Sequence, residues 1–322
     1  MHRFMISLAD IQAAQARLKP FLHRTPVHLS QTLSQRFGLP VFLKMEIFQK
    51  TGSFKSRAAF NRLLRLTDSE RRRGAVAVSG GNFAQGMAFG GQVLGIDVLL
   101  CMPESSPRKS LEAARSYGAK IELYPDIRSA FEAAERHQHG GRIYVHPFDE
   151  PDVIAGNGSI GLEILEDIPQ TTDVIVSVGG GGLMSGVTLA LKFLKPSARI
   201  YTVETQGANA LELALKAGKI VEMQPTSLAK TLGAPFVSST ALALAQAYVE
   251  KHIVVTDHEA YEAQLFLLER AKILCELSAS CTLAAAEKIK NRLTPKGCLV
   301  LILCGGNVSL EDLAGYREKF ET

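Results

Sequence analysis

Short, almost wholly apolar runs alternate with stretches of helical periodicity along most of the chain. The runs predict strands at Val41–Lys44, Ala75–Ser79, Val98–Met102, Lys120–Leu123, Arg142–Val145, Val174–Val178, Ile200–Glu204 and Cys298–Cys304. Between them the pattern predicts helices near Phe54–Leu66, Phe83–Leu94, Arg108–Tyr117, Arg128–His137, Leu183–Leu194, Ala208–Ala217, Glu259–Ala271 and Ala279–Asn291. Ala9–Leu18 reads as an amphipathic helix, and a last short helix is expected near Leu310–Lys319. A strand with one wet face alternates apolar and polar residues. These runs do not alternate, so both faces are expected to be buried. Such strands in βαβα order predict an α/β protein with parallel sheets. Gly140-Gly141 and His146–Pro151 are the candidates for a passage between lobes. No repeat or low-complexity tract breaks the pattern. The chain ends soon after its last strand, so no appended regulatory domain is expected.

Composition narrows the class. The chain has 322 residues, enough for two domains or one large one. With 46% hydrophobic and 21% charged residues it is near the globular average, which argues against a disordered or fibrous protein. A net charge of +4 is small for this length. The one basic run, Arg71 to Arg73, follows Asp68 and Glu70 and reads as a solvated helix end. No nucleic-acid partner is therefore expected. No stretch reaches the ~18 apolar residues of a membrane span. The N-terminus lacks the succession of a signal peptide. The cysteines, Cys101, Cys275, Cys281, Cys298 and Cys304, are odd in number and match no zinc spacing. A reducing cytoplasm and no bound metal are expected.

Four segments carry candidate chemistry. The first is Ser177-Val178-Gly179-Gly180-Gly181-Gly182-Leu183-Met184-Ser185-Gly186, between an apolar run and a helical one. Successive glycines remove every Cβ, so consecutive backbone N–H groups can converge on one anion. The helix start adds partial positive charge. A phosphate suits such a site. No G-x-G-x-x-G register fits the glycines, and Val187 rather than lysine follows Gly186, which excludes a dinucleotide fingerprint and a Walker loop. The alternative is a plain tight turn, for which four glycines are costly in chain entropy.

The second segment runs from Lys44 through Thr51-Gly52-Ser53-Phe54-Lys55-Ser56-Arg57. Thr51-Gly52-Ser53 is turn and cap chemistry, which puts Lys55 in a first helical turn. The helix dipole disfavours a cation there. A lysine with a lowered pKa is what an imine-forming amine needs. Taken alone, it reads as an ordinary exposed lysine. The third segment, Ser79-Gly80-Gly81-Asn82-Phe83, again joins a strand to a helix and offers N–H groups, a hydroxyl and an amide to a carboxylate. A simple turn explains it equally well. The fourth, Leu303-Cys304-Gly305-Gly306-Asn307, ends the last strand, where ligands bind in such sheets. A lone Cys304 is more often a small buried hydrophobe.

Together these segments resemble fold-type II pyridoxal-phosphate enzymes, specifically the threonine/serine dehydratase and serine racemase group. Order and spacing match from His23-Arg24-Thr25-Pro26 to Gly305-Gly306-Asn307. The resemblance implies a tryptophan-synthase-β-like two-domain α/β fold with parallel-rich sheets flanked by helices. Residues 1–70 and 150–322 would form a large cofactor domain, and 71–149 a small substrate-loop domain. It implies that Lys55 carries pyridoxal 5'-phosphate as a Schiff base and that Phe54 packs near the ring. Asn82 would bond the ring 3-hydroxyl, and Gly179, Gly180, Gly181, Gly182 and Leu183 would bind the phosphate. Ser79, Gly81, Asn82 and Phe83 would grip the substrate carboxylate. Cys304 would face the ring nitrogen. The implied reaction is α,β-elimination from a β-hydroxy amino acid, giving a 2-keto acid and ammonia. L-Threonine, L-serine, phenylserine and 3-hydroxyaspartate are candidate substrates. A homodimer is also implied.

Departures from the family pattern refine the expectation. Gly80 stands where the racemase pattern has a second serine as base on the opposite face. Glycine moves no proton, so racemisation loses ground to dehydration. Phe83 replaces the usual histidine, and Cys304 the usual serine or threonine. Glu276-Leu277-Ser278-Ala279-Ser280 replaces Glu-Pro-x-Gly-Ala. Some members hold a cation through an acid matching Glu204 and another six positions on. That position is Ala210 here, so no metal is expected. Serine racemase, β-replacement and threonine-synthase-like activities remain alternatives, with a non-catalytic amino-acid or cofactor-binding protein as a remote one.

Overall fold

Residues 6–321 are described by a computed structural model. They contain ten strands: β1 (Val27–Leu29), β2 (Val41–Lys44), β3 (Ala75–Val78), β4 (Val98–Pro103), β5 (Lys120–Tyr124), β6 (Ile143–Val145), β7 (Asp173–Ser177), β8 (Arg199–Thr205), β9 (Val249–Val255) and β10 (Leu299–Ile302). One sheet has the order β1-β2-β10-β7-β8-β9 and the other β5-β4-β3-β6. Only the β1–β2 pair is antiparallel among them. Strands β3, β4, β7 and β10 are buried at every position. Neighbouring side chains leave opposite faces, so both faces must be covered by helices. The fold is α/β with parallel-rich sheets. No helix among the described residues is long and apolar enough to cross a membrane.

The eight expected strands all form. The two that the pattern did not predict, β1 and β9, lie at the edges of the larger sheet. β9 keeps exposed and partly buried positions (Val249-Glu250-Lys251-His252), so it never shows the continuous apolar run of a central strand. A larger surprise is the Pro151–Asp167 helix, which was not expected and is buried from Val153 to Ile164. Gly156, Gly158 and Gly161 lower its helical signal. Packing requires them: a Cβ at Gly156 would lie 2.5 Å from the Arg57 carbonyl oxygen, and at Gly158 2.8 Å from Ile11. One at Gly161 would lie 2.7 Å from the Ala190 Cβ. The helix is thus threaded between the Leu8–Leu18, Lys55–Leu64 and Gly182–Leu194 helices. The 146–150 segment leads into it from β6.

A buried charge quartet fastens this helix to the Lys55–Leu64 helix. Arg57 Nε and Nη2 each donate to Glu46 at 2.9 Å, while Nη1 and Nη2 donate to Glu163 at 2.7 and 2.8 Å. Lys44 Nζ donates to Glu163 and, at 2.8 Å, to the Thr25 carbonyl. All four side chains are at most 5% exposed. Burial raises the Glu46 carboxyl, but the Arg57 and Lys44 charges outweigh it and hold the group below its ordinary range. The ionised carboxylate therefore stabilises the fold at neutral pH, and that contribution is lost as pH falls through the depressed value. Two cations balance two carboxylates. Removing one partner leaves an uncompensated buried charge, which costs about 3–5 kcal/mol. Glu163→Ala is expected to lose that much in urea unfolding at neutral pH. A loss under about 1 kcal/mol would show that the quartet does not fasten the helices.

Candidate active site

The chain leaves β2 through two short 3-10 turns, Glu46–Phe48 and Lys50–Gly52. It then docks on the end of β10: Ser53 bridges Gly305, and Phe54 N–H donates to the Cys304 carbonyl at 3.0 Å. The Lys55–Leu64 helix begins at once, which sets Lys55 in its first turn. The Lys55 amine donates to the Pro147 carbonyl at 2.9 Å. It lies 5.2 Å from the centre of the Phe54 ring and 5.3 Å from that of Phe83. Burial draws it down to about 8. A neutral amine is thus available near physiological pH, as nucleophilic attack on a carbonyl requires.

The tetraglycine loop lies next to the same turn. Phe148 follows Pro147, and a Cβ on Gly180 would lie 2.2 Å from the Phe148 ring. Gly181 has φ +96°, and a Cβ there would lie 2.2 Å from the Ala241 Cβ. Sequence reasoning asked for glycines so that a ligand could approach; the fold needs Gly180 and Gly181 so that Phe148 and Ala241 can. The Gly182–Leu194 helix starts here with Leu183 buried, and its first N–H groups have no intrahelical acceptor. The buried Ser185 hydroxyl in that first turn has no partner either. These donors at a helix N-terminus fit a phosphate.

His146 holds the turn that joins amine and cradle. Its Nδ1 accepts from Phe148 N–H at 3.3 Å and from Asp149 N–H at 2.9 Å. Burial, and next the Lys55 charge, push the ring down to about 4, so it is neutral and Nδ1 stays an acceptor.

Between β3 and the Asn82–Leu94 helix, Gly81 N–H donates to Ser79 Oγ at 3.1 Å. Asn82 is buried, and its amide donates to Glu276 at 2.9 Å and accepts from Asn307 Nδ2 at 2.8 Å. The same amide nitrogen reaches the second Glu276 oxygen at 3.2 Å. Phe83 packs in the smaller sheet's core and turns its ring to Lys55. Cys304, at the end of β10, receives a hydrogen bond from Ser177 Oγ at 3.5 Å. Burial, then the Glu276 charge, push its thiol up to about 11, so it is neutral. At Gly80, a Cβ would lie 2.7 Å from Ser106 Oγ.

Glu276 is the residue that sequence reasoning missed as part of the site. Its buried carboxylate accepts from Asn82, from Thr231 Oγ at 2.6 Å, from Ser278 Oγ at 3.0 Å and from Asn307 N–H at 2.9 Å. Its own N–H donates to the Gly305 carbonyl. Its signal was the acidic residue just before an apolar helix in the 276–280 segment. His146, Pro147 and Phe148 gave no such signal. Away from this cluster, Glu204 accepts from Leu211 and Glu212 N–H at 2.8 and 3.0 Å, with His252 Nε2 3.0 Å away. Its oxygens cap the Ala210–Ala217 helix.

With this geometry in place, kinship is clear. The family model described as pyridoxal-phosphate dependent enzyme matches residues 18–305. An L-threonine ammonia-lyase of Thermotoga maritima is 41% identical over 311 residues, 95% of this chain and 77% of the relative. The catabolic L-threonine dehydratase TdcB of Staphylococcus aureus is 38% identical over 322 residues, 98% of this chain and 92% of the relative. Maize serine racemase superposes with a TM-score of 0.92 at 33% identity, covering 98% of each chain. The chain belongs to the pyridoxal-phosphate dependent enzymes, within their fold-type II threonine/serine dehydratase group. It is a pyridoxal-phosphate-dependent lyase.

Two outcomes test the geometry. Gly180→Ala is expected to weaken pyridoxal-phosphate binding by roughly tenfold or more, because Phe148 must move; unchanged affinity in a spectroscopic titration would contradict the tight cradle. The rate at which cofactor-free protein takes up pyridoxal phosphate is expected to rise with pH, half-maximal near 8. A midpoint near the ordinary lysine value of 10.5 would show that burial leaves the Lys55 amine unaltered.

Proposed function

We propose that the protein is a hydroxyamino-acid ammonia-lyase in which Lys55 both holds pyridoxal phosphate and moves the substrate Cα proton. The observation that carries this reading is the partly buried amine with its pKa drawn down to about 8, tied by Pro147 and Phe148 to the tetraglycine cradle. Gly179, Gly180, Gly181, Gly182 and Leu183 would hold the phosphate, Asn82 the ring hydroxyl, and Phe54 a face of the ring. The 79–83 loop, through Ser79, Gly81, Asn82 and Phe83, would take the substrate carboxylate. When bound, the cofactor supplies an electron sink for the Cα carbanion.

The residues of the chain set how that sink is used. Lys55 would accept the Cα proton, since half of such an amine is neutral near pH 8. Cys304, a neutral thiol, would face the ring nitrogen and would not hold a proton on it as a carboxylate would. A shallower sink favours prompt loss of the β-hydroxyl over slower alternatives. Glu276 fixes Asn82 and closes the end of β10. The glycine at position 80 leaves no base there for the opposite face, which favours elimination over racemisation.

The threonine-named relatives make L-threonine the first substrate to test, then L-serine, phenylserine and 3-hydroxyaspartate. The same reading assigns 1–70 and 150–322 to a large lobe and 71–149 to a small one, in keeping with the two sheets. It also makes the protein a cytoplasmic homodimer, which sedimentation can check.

The test is 2-keto-acid release from these amino acids and from D-serine and allo-threonine. Release from L-threonine or L-serine is expected, falling roughly a thousandfold or more in Lys55→Ala. Equal rates of serine racemisation and keto-acid release would overturn the Gly80 argument. No release from any β-hydroxy amino acid, by protein that has bound its cofactor, would overturn the lyase assignment.

A further inference from the structure

Apart from the Lys55 site, the smaller sheet assembles three metal-ligating side chains. Cys101 on β4 and Glu122 on β5 are register partners in a parallel pair, so both side chains leave the same face of the sheet. The Ile127–His139 helix covers that face, packing Ala130, Ala133 and Ala134 around Cys101, and its last turn delivers His137. One ligand atom from each of Cys101, Glu122 and His137 lies within 4.8 Å of the other two. It is the one such trio of mixed ligands found among the described residues. Glu122 Oε2 lies 2.9 Å from His137 Nε2 and accepts from the Tyr124 hydroxyl at 2.5 Å.

The donor set is sulfur, nitrogen and oxygen, the mixture that a borderline-soft divalent ion such as zinc takes in four-coordinate sites. Drawing the three atoms to ligand distances of about 2.0–2.3 Å from one centre needs shifts of about 1 Å. Glu122 and His137 are 44% and 33% exposed, so an ion can enter from solvent while the buried thiol closes the inner side. Arg142, a nearby cation, is turned away onto Asp97 at 2.5 Å.

We propose that Cys101, Glu122 and His137 form a binding site for a zinc-class divalent ion, with water or the Tyr124 hydroxyl as fourth ligand. Binding converts the Cys101 thiol to a thiolate, and its proton leaves to solvent past the exposed Glu122 and His137. The cysteine spacing gave no sign of the site, because its ligands come from two strands and a helix. Cys101 pairs with Val78, the residue before Ser79. An ion here would therefore stiffen the strand next to the one that carries the 79–83 loop.

The experiment is a titration of the cofactor-loaded protein with Co2+, read as difference spectra and followed by displacement with Zn2+. Wild type is expected to show one thiolate-to-cobalt charge-transfer band per chain, abolished by zinc. Cys101→Ser should lose the band, and Cys298→Ser, which removes a buried thiol elsewhere, should keep it. His137→Ala should weaken cobalt binding by roughly tenfold or more. The His137 side chain is partly exposed, so this variant carries the test if Cys101→Ser does not fold. Absence of the band in wild type, its survival in Cys101→Ser, or undiminished affinity in His137→Ala would each overturn the proposal.

Discussion

Arg57 gripping two buried carboxylates is the interaction on which the rest of the structure depends. It sits two residues beyond Lys55, in the same helix, and reaches both Glu46 and Glu163. Glu46 belongs to the turn that leads from β2 to Lys55. Glu163 belongs to the helix that begins just after the Pro147–Phe148 turn. One guanidinium therefore fixes the lysine, the chain that delivers it, and the helix behind the carbonyl it meets. Glycines at positions 156, 158 and 161 let that helix come close enough for the pairing.

Around the Lys55 amine the electrostatics are of the opposite kind. In the quartet opposite charges hold Glu46 in its charged form, whereas Lys55, His146 and Cys304 are all driven by burial towards their neutral forms. The Glu276 carboxylate is surrounded by four donors, which hold it in place. Amine chemistry needs a neutral nucleophile and a position that does not drift. The charged layer supplies the position, and the apolar layer supplies the neutrality.

How much of this could be read from the sequence follows from where each signal resides. Central strands show as apolar runs because they are covered on both faces; β1 and β9 do not, because edges stay partly wet. The tetraglycine and 79–83 segments were legible as strand-to-helix turns because their glycines stand between an apolar run and a helical one. Lys55 was legible only in the company of those segments. The Pro151–Asp167 helix was hidden by the glycines that its packing demands. Glu276 was visible as a departure from a family pattern, yet its role rests on Asn82, Thr231 and Asn307, which are remote in sequence and meet only in the fold. The Cys101, Glu122 and His137 trio was illegible for the same reason.

The most direct test of the account is to reduce the cofactor-loaded protein with borohydride and map the modified peptide by mass spectrometry. The account predicts one covalently retained cofactor per chain, on Lys55. Retention on another lysine, or none at all in protein that has bound the cofactor, would contradict it.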